Sequence, residues 1–126
     1  MIYPKTNFVR DTTEFYYGER HFKSINGKSR IEIIPETKEY DSLSKSYDNY
    51  LKSIKENYTA GKVVFGVLKP TYYVISWRDN RHIYYTKKWQ LKTGNLVCIH
   101  FSYEDSEKAL FDKIIPHMVN YNPDCW

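Results

Sequence analysis

The chain has 126 residues with 41% apolar and 17% aromatic content, enough for one domain with a hydrophobic core and too apolar for a disordered segment. Its formal net charge is +4, but the cations (Lys5, Lys28, Lys45, Lys62, Arg78, Lys108) are dispersed rather than gathered on one element, which argues against a nucleic-acid interface. No apolar run is long enough to cross a membrane as a helix.

The first recognisable element is a β-hairpin over 19–34, "ERHFKSINGKSRIEII". Phe22 and Ser24 alternate with His21 and Lys23, and Ile31 and Ile33 with Arg30 and Glu32. Asn26-Gly27 supplies the positive φ angles of a two-residue type I′ turn, and Pro35 ends the second strand. Residues 42–56 predict a helix, because Leu43, Tyr47, Tyr50, Leu51 and Ile54 repeat at the helical period and Asp41 or Ser42 can cap its start. Four strands follow on short connections: 62–68, 71–77, 82–90 and 96–102, with turns at Asp79-Asn80 and over 92–95. Such connections predict an antiparallel meander. Residues 105–121 predict a final helix carrying Leu110, Phe111, Ile114, Ile115, Met118 and Val119 on one stripe, capped by Asp105 or Ser106. Pro116 should kink that helix or mark its last turns.

Hairpin, helix, meander and helix together predict a single α+β domain, an antiparallel sheet of about six strands flanked by two helices. The final helix returns antiparallel to the 96–102 strand and carries Cys125 back towards Cys98. A Cys98–Cys125 disulfide is therefore geometrically allowed if the protein is exported, and both are free thiols in a reducing compartment.

Catalytic and metal signatures are missing. His21, His82, His100 and His117 lack metal-ligand spacing; the first three lie in or beside strands and read as hydrogen-bonded strand residues. Ser76 has no flanking glycines to form a nucleophile elbow, and Cys98 sits in an apolar strand with no source of thiolate activation. The expectation is a non-enzyme with no cofactor and no metal.

The hairpin "TYYVISWRDNRHIYYTKKWQ" is the stronger candidate for interaction. Alternation places Tyr73, Ile75 and Trp77 on one face and Tyr72, Val74 and Ser76 on the other. Trp77, Arg78, Arg81, Tyr84 and Lys87 are the candidate binding residues, because Trp, Tyr and Arg are enriched at binding hot spots. The alternative is that both faces are covered, one by each helix.

Several segments carry a resemblance. Tyr3-Pro4 and Phe8, the "GERHFKSINGKSRIEI" pair, the "YYVISWRDNRHIYYTK" hairpin and the "IHFSYEDSEKALFDKII" junction resemble a family of small exported bacterial domains. Trp77 stands where that family carries the glycine of an "SG" pair, and Glu104 where it carries the proline of a "YP" pair. The element order is also similar to the PsbP-like α/β/α sandwich. The resemblance implies export and a binding or assembly role, and no catalytic residues. "MIYPKTNF" lacks the basic and apolar regions of a leader, so the expected location is periplasmic or secreted if Met1 replaces a removed leader, and cytoplasmic if Met1 is the native start. The expected partner is a protein, in its specific form a secreted antibacterial toxin neutralised by this chain. The alternatives are a ligand or glycan in a groove beside the sheet, and nucleic acid on Arg78, Arg81, Lys87 and Lys88.

Overall fold

In a computed structural model, residues 8–11, 19–36 and 42–120 are described. The strands are β1 (Phe8–Arg10), β2 (Arg20–Ser24), β3 (Arg30–Glu36), β4 (Lys62–Leu68), β5 (Tyr72–Asp79), β6 (His82–Gln90) and β7 (Leu96–Glu104). Helix α1 (Leu43–Asn57) lies between β3 and β4, and α2 (Lys108–Val119) follows β7 after a 3-10 turn, Asp105–Glu107. All strands join one antiparallel sheet in the order β1-β2-β3-β7-β6-β5-β4. The N-terminal hairpin thus docks on β7, the last strand of the meander, rather than on β4, the first.

Each helix covers one face. The cluster beneath α2 joins Phe111, Ile114, Ile115, Met118 and Val119 to Val97, Ile99, Phe101 and Tyr103 of β7 and to Phe8, Phe22, Ile31 and Ile33. Beneath α1, Leu43 and Ile54 meet Tyr73, Ile75, Trp77 and Leu96. β7 occupies the middle of the sheet, and its run "LVCI" is buried residue after residue. Such a run is what coverage on both faces requires of a central strand.

The sandwich and its two helices match the sequence reading, and the face assignment along β5 holds. Five local expectations change. Pro35 does not end the second hairpin strand: β3 runs on to Glu36, with Pro35 paired to Val97 of β7. The sheet has a seventh strand, β1, only three residues long. The β2–β3 connection is not a two-residue turn. Ser24 N–H donates to Ser29 O at 2.9 Å and Gly27 N–H to Ser24 O at 2.8 Å, so Ile25 to Lys28 form a four-residue loop with only Gly27 at positive φ (76°). The Asn26 side chain accounts for this: Oδ1 accepts from Lys28 N–H at 3.0 Å and Nδ2 donates to Glu107 at 3.1 Å, anchoring the loop to the start of α2. The β5–β6 turn falls one residue late, at Asn80-Arg81, with Asn80 at φ 37° and Asp79 paired to His82. Neither Asp105 nor Ser106 caps the last helix: the chain first makes a 3-10 turn, and the Asp105 carboxylate turns to Arg78 instead. Ser42 does cap α1, its Oγ accepting from Lys45 N–H at 3.1 Å. Pro116 sits in the last turn of α2, where its carbonyl still accepts from Asn120 N–H at 3.3 Å.

Candidate functional site

The five hairpin residues singled out by sequence do not share a surface. Trp77 is 3% exposed, pressed under α1. Its Nε1–H donates to the Tyr50 hydroxyl at 3.1 Å, and its ring stacks on Tyr84 at 4.1 Å and 14°. Arg78 projects from the opposite face and donates to both carboxylate oxygens of Asp105, at 2.7 and 2.8 Å. Arg81 lies exposed in the turn, where its carbonyl accepts from Asp105 N–H at 2.9 Å. Lys87, also on the α2 face, lies over the rings of Tyr72 (4.6 Å) and Trp89 (4.9 Å) and donates to the Val119 carbonyl at 3.2 Å. Burial pushes its ammonium below the usual lysine range. Lys88 faces α1, pairs with Glu36 at 2.6 Å and donates to Ser46 at 3.1 Å. Trp77 and Lys87 are thus spent on holding the two helices, Lys88 is buried in an ion pair, and the four cations are split between faces.

The histidines His21, His82 and His100 do fall on one face, the α1 face, but each takes its own partners. His21 lies 3.0 Å from Glu19 through Nε2 and 3.0 Å from Glu32 through Nδ1, and His82 Nε2 is 2.7 Å from Ser102 Oγ. His117 is exposed on α2. His100 ends a chain of hydrogen bonds reaching back to Trp77. One proton order satisfies every member: Trp77 N–H donates to Tyr50, the Tyr50 hydroxyl to Thr86 (3.1 Å), the Thr86 hydroxyl to His100 Nδ1 (2.7 Å), and His100 Nε2–H to Cys98 Sγ (3.2 Å).

Sequence reasoning did not foresee this Cys98–His100 contact, although residues two apart on a strand share a face. Its chemistry is that of a buried neutral pair. Burial pushes the Cys98 thiol far above the usual thiol range and holds the His100 imidazole below the usual histidine range. Nucleophilic catalysis would need the opposite, a thiolate beside an imidazolium. Among the described residues, no group of three or more His, Cys, Asp and Glu side chains could hold a metal ion. Cys98 is buried, and Cys125, its candidate disulfide partner, lies outside the described residues.

The most exposed apolar element is β4, which sequence reasoning treated only as a strand. It is the edge of the sheet, and Val63 (46%), Val64 (65%), Phe65 (54%) and Leu68 (39%) are all solvent-accessible. An edge strand displays unpaired N–H and C=O groups, and an apolar one is usually blunted or covered. The pairing with β5 slips between Val63 and Phe65, leaving Val64 as a bulge. Because the bulge breaks alternation, Val64 and Phe65 both line a cleft of about 560 Å³ on the α2 side. Its other walls include Ser76, Ile83, Tyr85 and Tyr103 from the sheet and Ile115, Pro116 and Val119 from α2. Arg78 and Lys108 also line it, each neutralised by an aspartate: Arg78 by Asp105, Lys108 by Asp112 at 2.7 Å. The available sequence signal was indirect: "KVVFGVL" carries lysine at its start and Lys69 just after it, a pattern found on exposed edges.

No protein-family model matches this chain, and no curated protein matches it. Among solved structures it is similar to the solution structure of cyanobacterial PsbP (CyanoP) from Synechocystis sp. PCC 6803, with a TM-score of 0.61 and 14% sequence identity over 90% of this chain and 81% of that one. No helix of the described residues is long and apolar enough to cross a membrane. The shared sheet and flanking helices give the chain a PsbP-like α+β sandwich fold.

Proposed function

We propose that this is a non-catalytic protein-binding domain that docks its partner on β4 and the cleft behind it. The supporting observation is the exposure of Val63, Val64, Phe65 and Leu68 along a sheet edge that no described strand covers, while the other large apolar side chains among the described residues are mostly buried. The neutral, buried Cys98–His100 pair favours binding over catalysis. The specific form of the reading is an exported bacterial protein that neutralises a secreted antibacterial toxin. It draws on the small size of the domain and on the resemblance to exported domains. The deciding experiment uses the wild-type chain and a Val64→Lys/Phe65→Lys variant as baits in periplasmic extract of cells that make the protein. A protein partner held by the wild type and lost by the variant is expected. Recovery of no partner, or of the same proteins by both baits, overturns the docking reading.

A second reading, a small ligand or glycan in a groove beside the sheet, is favoured by the cleft itself, whose wall includes Tyr85 and the buried Tyr103. Trp77 and Tyr84 cannot serve it, since they face α1. Broadening of Tyr85 and Tyr103 resonances on titration with oligosaccharides is its test, and unchanged spectra remove it. Nucleic-acid binding by Arg78, Arg81, Lys87 and Lys88 has the weakest support, because Arg78 and Lys88 are already ion-paired.

A further inference from the structure

Given that a protein docks on β4, we infer that it does so by adding an extended segment to the sheet, apolar in its middle and acidic at its ends. Four observations carry this. First, among the described residues nothing pairs with the outer side of β4, so its backbone donors and acceptors are open to a further strand. Second, the exposed apolar side chains lie on both faces: register places Val63 and Leu68 with Trp77 and Tyr73 on the α1 face, and Phe65 with Ser76 on the α2 face. A small molecule in the cleft would cover only the second set, whereas an added strand places alternate side chains beside both.

Third, the bulge turns Val64 towards the cleft beside Phe65, so an apolar side chain from the added strand has a receptacle on that face. The ion pairs at the cleft leave no net charge there, which suits a neutral side chain. Fourth, Lys62 and Lys69 stand exposed at the two ends of the strand without an ion-pair partner among the described residues. Both ends of β4 are therefore positive while its centre has no charge. A carboxylate at each end of the incoming segment matches that pattern. A second copy of β4 matches it poorly. It brings lysines rather than carboxylates. In a two-fold antiparallel pairing centred on Gly66, each copy's bulge would also lie opposite the other's Leu68 and interrupt the ladder.

The test pans the full-length chain against a phage library of random heptapeptides and synthesises the strongest binder. Enriched sequences should alternate apolar residues between acidic ends. The peptide should slow hydrogen exchange of β4 amides and bind the Phe65→Lys variant at least about tenfold more weakly. N-methylating the alternate amides that face β4 should also weaken it about tenfold or more, because the methyl groups block the ladder but leave the side chains. Equal binding of the N-methylated peptide overturns strand addition while leaving docking on β4 intact. Binders indifferent to Phe65→Lys and to the Val64→Lys/Phe65→Lys bait overturn both. Enrichment of lysine-flanked or non-alternating sequences refutes the assigned segment chemistry. Protection of β4 amides that rises with protein concentration alone, with dimers on gel filtration, assigns the edge to a second copy instead.

Discussion

The hydroxyl of Tyr47 lies 2.6 Å from the point where a Cβ on Gly66 would stand. Tyr47 packs edge-on against Tyr73, at 5.5 Å and 69°, so it cannot swing aside without disturbing the contact between α1 and the sheet. Gly66→Ala should therefore cost about 1–3 kcal/mol, as overpacking does. Tyr47→Phe, which removes the clashing oxygen, should recover much of that loss in the double variant. Urea unfolding of the four corners of the cycle measures the coupling, and strictly additive changes refute the contact.

The chain from Trp77 through Tyr50 and Thr86 to His100 fastens α1 to the sheet through hydroxyls. Thr86 is 1% exposed. Thr86→Val keeps the shape but strands the Tyr50 hydroxyl and His100 Nδ1, and should cost about 1–3 kcal/mol. The indole N–H of Trp77 reports on the effect: its proton resonance should shift as Tyr50 loses its acceptor. A variant as stable as wild type with an unmoved indole signal contradicts the network.

His100 gives the fold an acid-side weakness. Burial lowers its pKa in the folded state, whereas the unfolded chain takes up the proton near the usual value of about 6.5. Below that value the unfolded state binds more protons, so stability contributed by neutral His100 is complete above about pH 6.5 and is lost as pH falls towards the folded-state pKa. His100→Gln cannot titrate. Melting temperatures recorded from pH 7.5 to 5 should fall more steeply for wild type than for this variant, and parallel curves refute the assignment.

Lys87 and Phe65 should separate stability from binding. Lys87→Ala removes the ammonium that lies over the Tyr72 and Trp89 rings and donates to the Val119 carbonyl at the end of α2. It should cost about 1 kcal/mol and leave partner capture unchanged. Phe65→Lys exchanges an exposed ring for a charge, so it should move stability by less than about 0.5 kcal/mol while abolishing capture. The reverse pattern returns the binding face to the hairpin.

The ion pair of Arg78 with Asp105 is short but both side chains are well exposed. Asp105→Asn should lower stability by no more than about 1 kcal/mol, and the loss should shrink in high salt. A loss of several kcal/mol would mean that Asp105 holds the β7–α2 junction by more than charge.

Periodicity made most of the architecture legible. The stripe Leu43, Tyr47, Tyr50, Leu51 and Ile54 located α1, and strict alternation assigned Tyr73, Ile75 and Trp77 to one face and Ser76 to the other. Both signals are local, repeating every few residues. What escaped depended on distant pairing. Three residues, Phe8 to Arg10, carry too little pattern to announce a strand until β2 lies beside them. The four-residue loop after Ser24 is set partly by Asn26 reaching Glu107, far along the chain. That the binding candidates do not share one surface escaped for the same reason. Composition made the hairpin look conspicuous, but sheet order puts β5 and β6 inside and β4 outside. An apolar run such as "VVF" reads as core wherever it occurs. Only the topology shows it at the rim.

The irregularity at Val64 also bears on stoichiometry. A flat apolar edge invites copy after copy and ends in a polymer, because each added strand renews the template. Here the bulge interrupts the rim at one place. At the far side of the sheet, the described part of β1 is Phe8 to Arg10, with Arg30 paired to Asp11 beside it. Among the described residues, head-to-tail growth from β4 of one molecule to β1 of the next meets Phe8 to Arg10. The interruption at Val64 disfavours continuous stacking of strands on β4, so the molecule can keep a reactive rim without becoming a seed for aggregation.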